Sequence, residues 1–201
     1  MSSAIARKKK RMQPAGYKEE IHVFDQQKIR SLNYAKNLAE KTFLDMKLIS
    51  FNVLHDKFGY GQKRIKHLEE RVNDLLNEGP SCEEMVFYLK EKGIDLMNVE
   101  VPQRDLMGFQ GIGYNNDILP LKNKVNVVLG SVSDYIILSV TALRTNMKFT
   151  KKQVMEYIEW IQYYINSISR KIFLDMVDVA SVLYHECKYC DPRFIGRFRE
   201  I

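Results

Sequence analysis

One passage recurs along this chain, and that recurrence restricts the architecture more than any single motif does. Phe43-Leu44-Asp45-Met46 returns as Phe173-Leu174-Asp175-Met176. At the same shift of 130 residues, Lys41, His55, Ile65 and Glu70 fall on Lys171, His185, Ile195 and Glu200. A fainter copy lies between them at a shift of 89, placing Asp45, Ser50, Leu54, Lys63 and Glu70 on Asp134, Ser139, Leu143, Lys152 and Glu159. A unit written three times, over 43–70, 132–159 and 173–200, predicts a fold assembled from supersecondary pieces that cover one another.

Each copy reads as a long helix, a tight corner and a second helix. Leu32, Ala35, Ala39, Thr42, Met46, Ile49 and Val53 advance by alternating steps of three and four, which places them on one helical stripe. Tyr135, Leu138 and Ala142 repeat the end of that stripe in the middle copy, and Met176, Val179 and Leu183 repeat it in the last. The second helices carry Ile65, Leu68, Val72 and Leu75, and Val154, Tyr157, Ile161 and Tyr164. The expected fold class is therefore all-α: three repeated helix-turn-helix (helical hairpin) units forming a compact helical bundle.

At the corners, residues that differ in name agree in role. Gly61, Thr150 and Asp191 align, and each is a favoured N-cap. Thr150 with Gln153 makes a capping box, and Pro192 takes the first position after its cap, where a missing amide hydrogen costs nothing. Tyr60, Phe149 and Cys190 stand before the caps, and Ile65, Val154 and Ile195 stand four residues after them, the spacing of a hydrophobic staple.

Composition supports a folded helical protein. Of 201 residues, 45% are apolar and 11% aromatic, enough for a core and too many for a disordered chain. No apolar run approaches the ~20 residues of a membrane span, and Met1 to Glu20 lacks the apolar centre of a cleavable signal. Three cysteines, an odd number, offer no disulfide framework and fit a reducing cytoplasm.

The net charge of +6 is concentrated at one end. Arg7, Lys8, Lys9, Lys10, Arg11 and Lys18 face only Glu19 and Glu20 within residues 1–20, so a flexible basic arm suited to phosphates precedes a nearly balanced body. A second basic signal recurs at the corners, where Lys63 and Arg64, Lys151 and Lys152, and Arg193 occupy the first turn of a second helix. Cations there oppose the helix dipole, by about 0.3–1 kcal/mol each, so their repetition points to a compensating anion. The candidate nucleic-acid-binding set is thus Arg7, Lys8, Lys9, Lys10, Arg11, Lys63, Arg64, Lys151, Lys152 and Arg193. The bland reading of the same residues is a solvated terminus and solvated helix starts.

Other chemistry is harder to assemble. His185, Cys187 and Cys190 have the ligand types for zinc, with Cys82 or Asp191 to complete a tetrahedron. Lys57 and Tyr60 stand at the positions aligned with the two thiols, however, so the corner folds elsewhere without metal and no metal or other cofactor is assigned. Gly108, Gly111 and Gly113 follow no strand and appear in the wrong order for a dinucleotide loop. Asp45, Asp134 and Asp175 read as caps, ion pairs or solvent-facing acids; Ser50, Ser139 and Ala180 read as close helix contacts; Trp160 reads as core, with a surface anchor as its alternative. With no convergent nucleophile, base and oxyanion site, the chain is read as non-enzymatic.

Between the first two copies, Ser81 and Glu84 open a short helix that runs to Lys90 and closes at Gly93. Val99 to Lys124, rich in glycine, proline and asparagine, reads as a linker or binding loop. Val125 to Val128 has strand propensity, and the repeat places helix from about Ser131. The expected organisation is a basic arm over 1–20, a first helical unit over 21–98, the linker over 99–124, and the second and third units over 125–201.

The segment Asn52 to Ile65, with Leu68, Asn73, Glu78, Ser81, Gly93 and Ile94 after it, resembles a family of small proteins encoded by phages and prophages of Firmicutes. The resemblance covers about residues 40–96. That family's pattern is a hydrophobic residue followed by Leu-His-Asp-Lys-Phe-Gly-Phe-Gly-Lys-Lys-Arg, from which Tyr60 and Gln62 depart mildly. The other two copies lack the paired glycines. The resemblance implies a phage setting, in the bacterial host cytoplasm, and no particular activity.

The expected function is that of a phage accessory or regulatory protein that binds nucleic acid through its basic arm and helix N-termini. The alternative is a protein–protein interaction module, using exposed aromatics and the 99–122 loop, that inhibits or redirects a host macromolecular machine. A homo-oligomer is compatible with either, and no membrane partner is expected.

Overall fold

The computed structural model describes residues 17–96, 118–170 and 175–200, with side chains described from residue 25 onward. Among these residues the chain is all-helical, with no strand. Six α-helices follow in order: α1 (Tyr17–Phe58), α2 (Gln62–Glu78), α3 (Cys82–Glu91), α4 (Leu121–Thr145), α5 (Lys151–Ser169) and α6 (Met176–Cys187). A 3₁₀ turn, Pro192–Phe194, comes last.

The apolar stripes explain how these helices assemble. α1 and α4 form a central pair; α5 and α6 lie on α1, while α2 and α3 lie on α4. Each short helix thus finds its cover chiefly on the long helix of the other half, and α5 also touches α4. Thr42, Met46, Ile49 and Val53 of the α1 stripe are buried, together with Tyr135, Leu138 and Ala142 of α4 and Met176, Val179 and Leu183 of α6. Phe43 meets Tyr135 edge to face with ring centroids 5.0 Å apart, joining the central pair. The stripe of α1 outruns this cover: Leu32 is 60% exposed.

α4 has the length and composition of a membrane span, contrary to the expectation that no apolar stretch approaches one, yet 61% of its most apolar window is buried in this protein. It also begins at Leu121, some ten residues before the helix start expected from the repeat. Val125 to Val128 are therefore helical, because Val125 and Val128 fill the helical face against the core and tertiary packing overrides β-propensity. The same extension draws Lys124, expected in the linker, into a fully buried position with its ammonium 5.2 Å from the centre of the Tyr34 ring. At the other end, Tyr17 to Glu20 belong to α1 rather than to the arm.

The hydrogen-bonded caps match their sequence signals. Ser81 with Glu84 and Thr150 with Gln153 both close as capping boxes, and the Asp191 carboxylate accepts the Arg193 amide beside Pro192. The last copy departs from the hairpin plan after that cap. In place of a second helix it has the 3₁₀ turn, and Ile195, expected as a staple residue, is 65% exposed. What the three passages share in this structure is the corner rather than a whole hairpin.

That corner has one backbone solution. Gly59, Lys148 and Lys188 all lie in the left-handed region, at φ of 65°, 58° and 54°. In each case the following amide, of Tyr60, Phe149 or Tyr189, donates to the carbonyl six residues back, at Leu54, Leu143 or Leu183, over 3.0 Å. A left-handed residue reverses the chain so that these otherwise unpaired carbonyls are satisfied. Leu54, Leu143 and Leu183 are fully buried, and they set the register. The last corner is therefore one residue out of step with the 130-residue alignment. Tyr189 and Phe194 take the places expected for Cys190 and Ile195, and Cys190 is exposed.

Candidate nucleic-acid interface

All three corners meet at one end of the bundle, with the first in the middle. It touches the second through aromatic rings: Phe58 and Tyr60 lie 5.1 and 6.0 Å from Phe149, centroid to centroid. It touches the third through polar groups. Gln62 Nε2 donates to the Lys188 carbonyl over 3.2 Å, and His55 Nε2 lies 2.6 Å from Glu186 Oε2.

His55 is held from both sides by acceptors, since its Nδ1 lies 3.0 Å from the Tyr60 carbonyl. A carbonyl and a carboxylate cannot donate, so the form that fills both contacts is the imidazolium. Burial works against that charge, but the bonds to Glu186 and Tyr60 and the nearby Glu186 and Asp56 charges outweigh it, and the His55 pKa rises above its ordinary value.

Four of the basic residues picked out in the sequence stand free at this end. Lys63 and Arg64 are exposed on the first turn of α2, Lys151 and Lys152 are exposed on the first turn of α5, and neither turn holds an acid. None of the four forms an ion pair among the described residues. Arg64 instead lies over the Tyr60 ring at 5.4 Å, and Lys151 lies against the turn at Gly93. Because the first two corners are in contact, the four cations belong to one surface.

Arg193 does not join that surface. Its Nη1 lies 2.6 Å from Asp45 and its Nη2 lies 2.8 Å from Asp191, and both carboxylates are almost entirely buried. Burial keeps the Asp45 carboxyl above its usual range despite Arg193; at Asp191 burial acts the same way, but the hydrogen bonds and charge of Arg193 prevail and bring it below. Arg193 ties α1 to the 3₁₀ turn and is committed to that structural role. Arg7, Lys8, Lys9, Lys10 and Arg11 lie outside the described residues.

The aligned aspartates have three different employments. Asp45 is the buried partner of Arg193, Asp134 lies 3.8 Å from the Cys82 thiol, and Asp175 caps α6 while pairing with Arg199. The aligned serines agree better: Ser50 and Ser139 are both buried and both bond the Tyr157 hydroxyl, at 2.7 and 3.1 Å. Nor do the zinc candidates converge. His185 Nε2 is spent on the Arg199 carbonyl, Cys187 is buried with its thiol toward the Tyr60 carbonyl, and Cys190 is exposed. No group of three ligating side chains suited to a metal occurs among the described residues.

Two features of this surface escaped the sequence. Lys148 and Lys188 sit at the left-handed positions where the first corner has glycine, and Lys148 lines a cleft beside Arg64. A lysine at positive φ has no local signature; at a shift of 89 Lys148 falls on Gly59, whereas at a shift of 130 Lys188 falls on Phe58. Trp160, expected in the core, is only partly buried, with Lys57 Nζ 4.0 Å above its ring and the exposed Tyr163 beside it. Lys151, Lys152, Met155, Trp160 and Tyr163, with the carboxylates of Glu156 and Glu159, line an open groove of about 1020 Å³ along α5. Comparison with protein-family models, with curated proteins and with solved structures finds no match.

Proposed function

We propose that this chain binds nucleic acid non-enzymatically, as an accessory or regulatory protein in a phage setting, with its helix corners as the contact surface. The observation that carries this reading is the pairing of two acid-free helix starts, bearing Lys63, Arg64, Lys151 and Lys152, at one end of the bundle. Basic side chains beside helix N-termini there favour phosphate oxygens. The left-handed residue and back-reaching amide common to the corners support reading them as one unit used repeatedly, and the basic segment Arg7 to Arg11 adds sequence-blind affinity.

A salt titration against mixed DNA and RNA tests this. Charge reversal of Lys63 and Arg64 together is expected to flatten the salt slope by about 2 and weaken all sequences alike. Deletion of residues 1–12 is expected to leave the corner contribution intact. Binding that disappears on arm deletion alone, and ignores Lys63 and Arg64, overturns the corner reading.

The groove along α5 favours the second reading, a protein-interaction module, because Trp160, Tyr163 and Met155 put aromatic and flexible apolar surface on one exposed helix face. Under that reading Trp160→Ala abolishes capture of a host protein while nucleic-acid binding persists.

A further inference from the structure

Where the first two corners touch, their side chains enclose an open cleft of about 430 Å³. That lies within the ~300–1,000 Å³ range of small-molecule sites and is far larger than one oxyanion needs. Its lining is uneven in a way that indicates an occupant. Arg64 and Lys148 supply two cations, Asn146 and Gln153 supply side-chain amides, and the half-buried Phe58, packed on the buried Phe149, supplies a small aromatic face. No carboxylate among the described residues lines the cleft.

Neither cation has an ion-pair partner among the described residues, so both charges remain available. Arg64 lies over the Tyr60 ring, which supports one face of the guanidinium and leaves its planar donor edge for a bidentate contact. In the Gln153 side chain, Oε1 is spent on the Thr150 amide and hydroxyl, which leaves Nε2 to donate. Lys148 reaches the cleft from a left-handed backbone, a conformation that costs a lysine about 1–2 kcal/mol relative to its ordinary ones.

We propose that this cleft receives a single unpaired nucleotide, with its phosphate between Arg64 and Lys148 and its base against the Phe58 ring. Two cations without a competing acid among the described residues suit a phosphate, the monoanionic diester of a strand or the dianion of a strand end, and an aromatic ring suits a planar base of any identity, as in single-strand binding surfaces. A duplex does not fit such a cleft, because its bases are stacked and paired. The inference deepens the proposed function and rests on it, by assigning this corner surface to single strands or strand ends.

Calorimetric titration of the full chain with uridine 5′-monophosphate, uridine and inorganic phosphate tests the cleft, alongside single-stranded and duplex DNA of equal length. The monophosphate is expected to bind at least about tenfold more tightly than either of its parts, and single strands more tightly than duplex. Arg64→Ala and Lys148→Gly are each expected to weaken monophosphate binding by about 3- to 10-fold. Lys148→Gly relieves the positive φ, so its thermal midpoint should hold or rise, which separates lost binding from lost folding. Equal binding of uridine, or of inorganic phosphate, overturns the proposal, as does unchanged monophosphate binding when Arg64→Ala and Lys148→Gly are combined. If the cleft variants leave the monophosphate untouched while salt-dependent DNA binding persists, the cleft proposal fails and the corner reading survives. If monophosphate binding depends on the cleft but no polymer binds, the cleft stands as a nucleotide site and the nucleic-acid reading falls.

Discussion

The first and third corners make an instructive pair, because they share a backbone and differ in what surrounds it. Gly59 and Lys188 both turn left-handed, and Tyr60 and Tyr189 both close the helix by reaching six residues back. Beyond the caps, Arg64 is exposed without an acid, whereas Arg193 is enclosed by Asp45 and Asp191. Whether a cation at a helix start is a binding group or a rivet thus depends on which carboxylates the tertiary fold brings to it. Coulomb attraction in a desolvated site fixes the second kind, while water screens the first.

The largest effect expected from this contrast is at Arg193. Arg193→Ala leaves two buried carboxylates without their counter-charge and should destabilise the fold by about 3–5 kcal/mol in urea unfolding. Arg64→Ala should stay within ~0.5 kcal/mol, as exposed sites generally do. Equal stability losses at the two positions would abolish the distinction.

Next in size is Gly59→Ala, expected to cost about 1–2 kcal/mol because an alanine at φ 65° is strained, with the midpoint denaturant concentration as the readout. An unchanged midpoint would mean that the first corner does not need its left-handed residue. Lys151→Glu with Lys152→Glu is expected to do the opposite of an ordinary surface disruption: stability rises by about 0.3–1 kcal/mol per charge while nucleic-acid affinity falls. A loss of both would show that these lysines support the fold rather than a ligand.

The smallest effect distinguishes how the first corner holds its two neighbours. Its contact with the second is aromatic and indifferent to pH; its contact with the third includes the His55–Glu186 pair. The His55 pKa is raised on folding, so this pair's contribution is fully present below the unfolded value of about 6.5 and is lost as pH rises through the folded value. The stability difference between the wild type and His55→Gln, measured from about pH 5.5 to 8.5, should therefore shrink with rising pH. A difference that is constant across the series would exclude an ionic link.

The corners were legible before any coordinates because their chemistry is local. An N-cap needs an acceptor within three residues, so Ser81 with Glu84 and Thr150 with Gln153 could be recognised from neighbours alone. The slip of the last corner was not legible. Identity at His55 and His185 favoured a shift of 130, whereas the fold aligns Leu54 with Leu183, because a buried side chain and its backbone bond outweigh a shared letter. The early start of α4 was hidden for a related reason: Val125 to Val128 suit a strand or a buried helix, and only the groove they fill decides between them.

By itself the sequence determined the helical class, the capped helix starts, the first two corners and the basic residues beside them, since each depends on periodicity or on contacts a few residues apart. Tertiary structure alone decided that α2 would lie on α4 and α5 on α1, that Arg193 would be taken by Asp45 while Arg64 stayed free, and that two corners would enclose a cleft. Those outcomes join groups as far apart as Asp45 and Arg193, and no local spacing rule specifies them. They follow from which apolar stripes bury each other best.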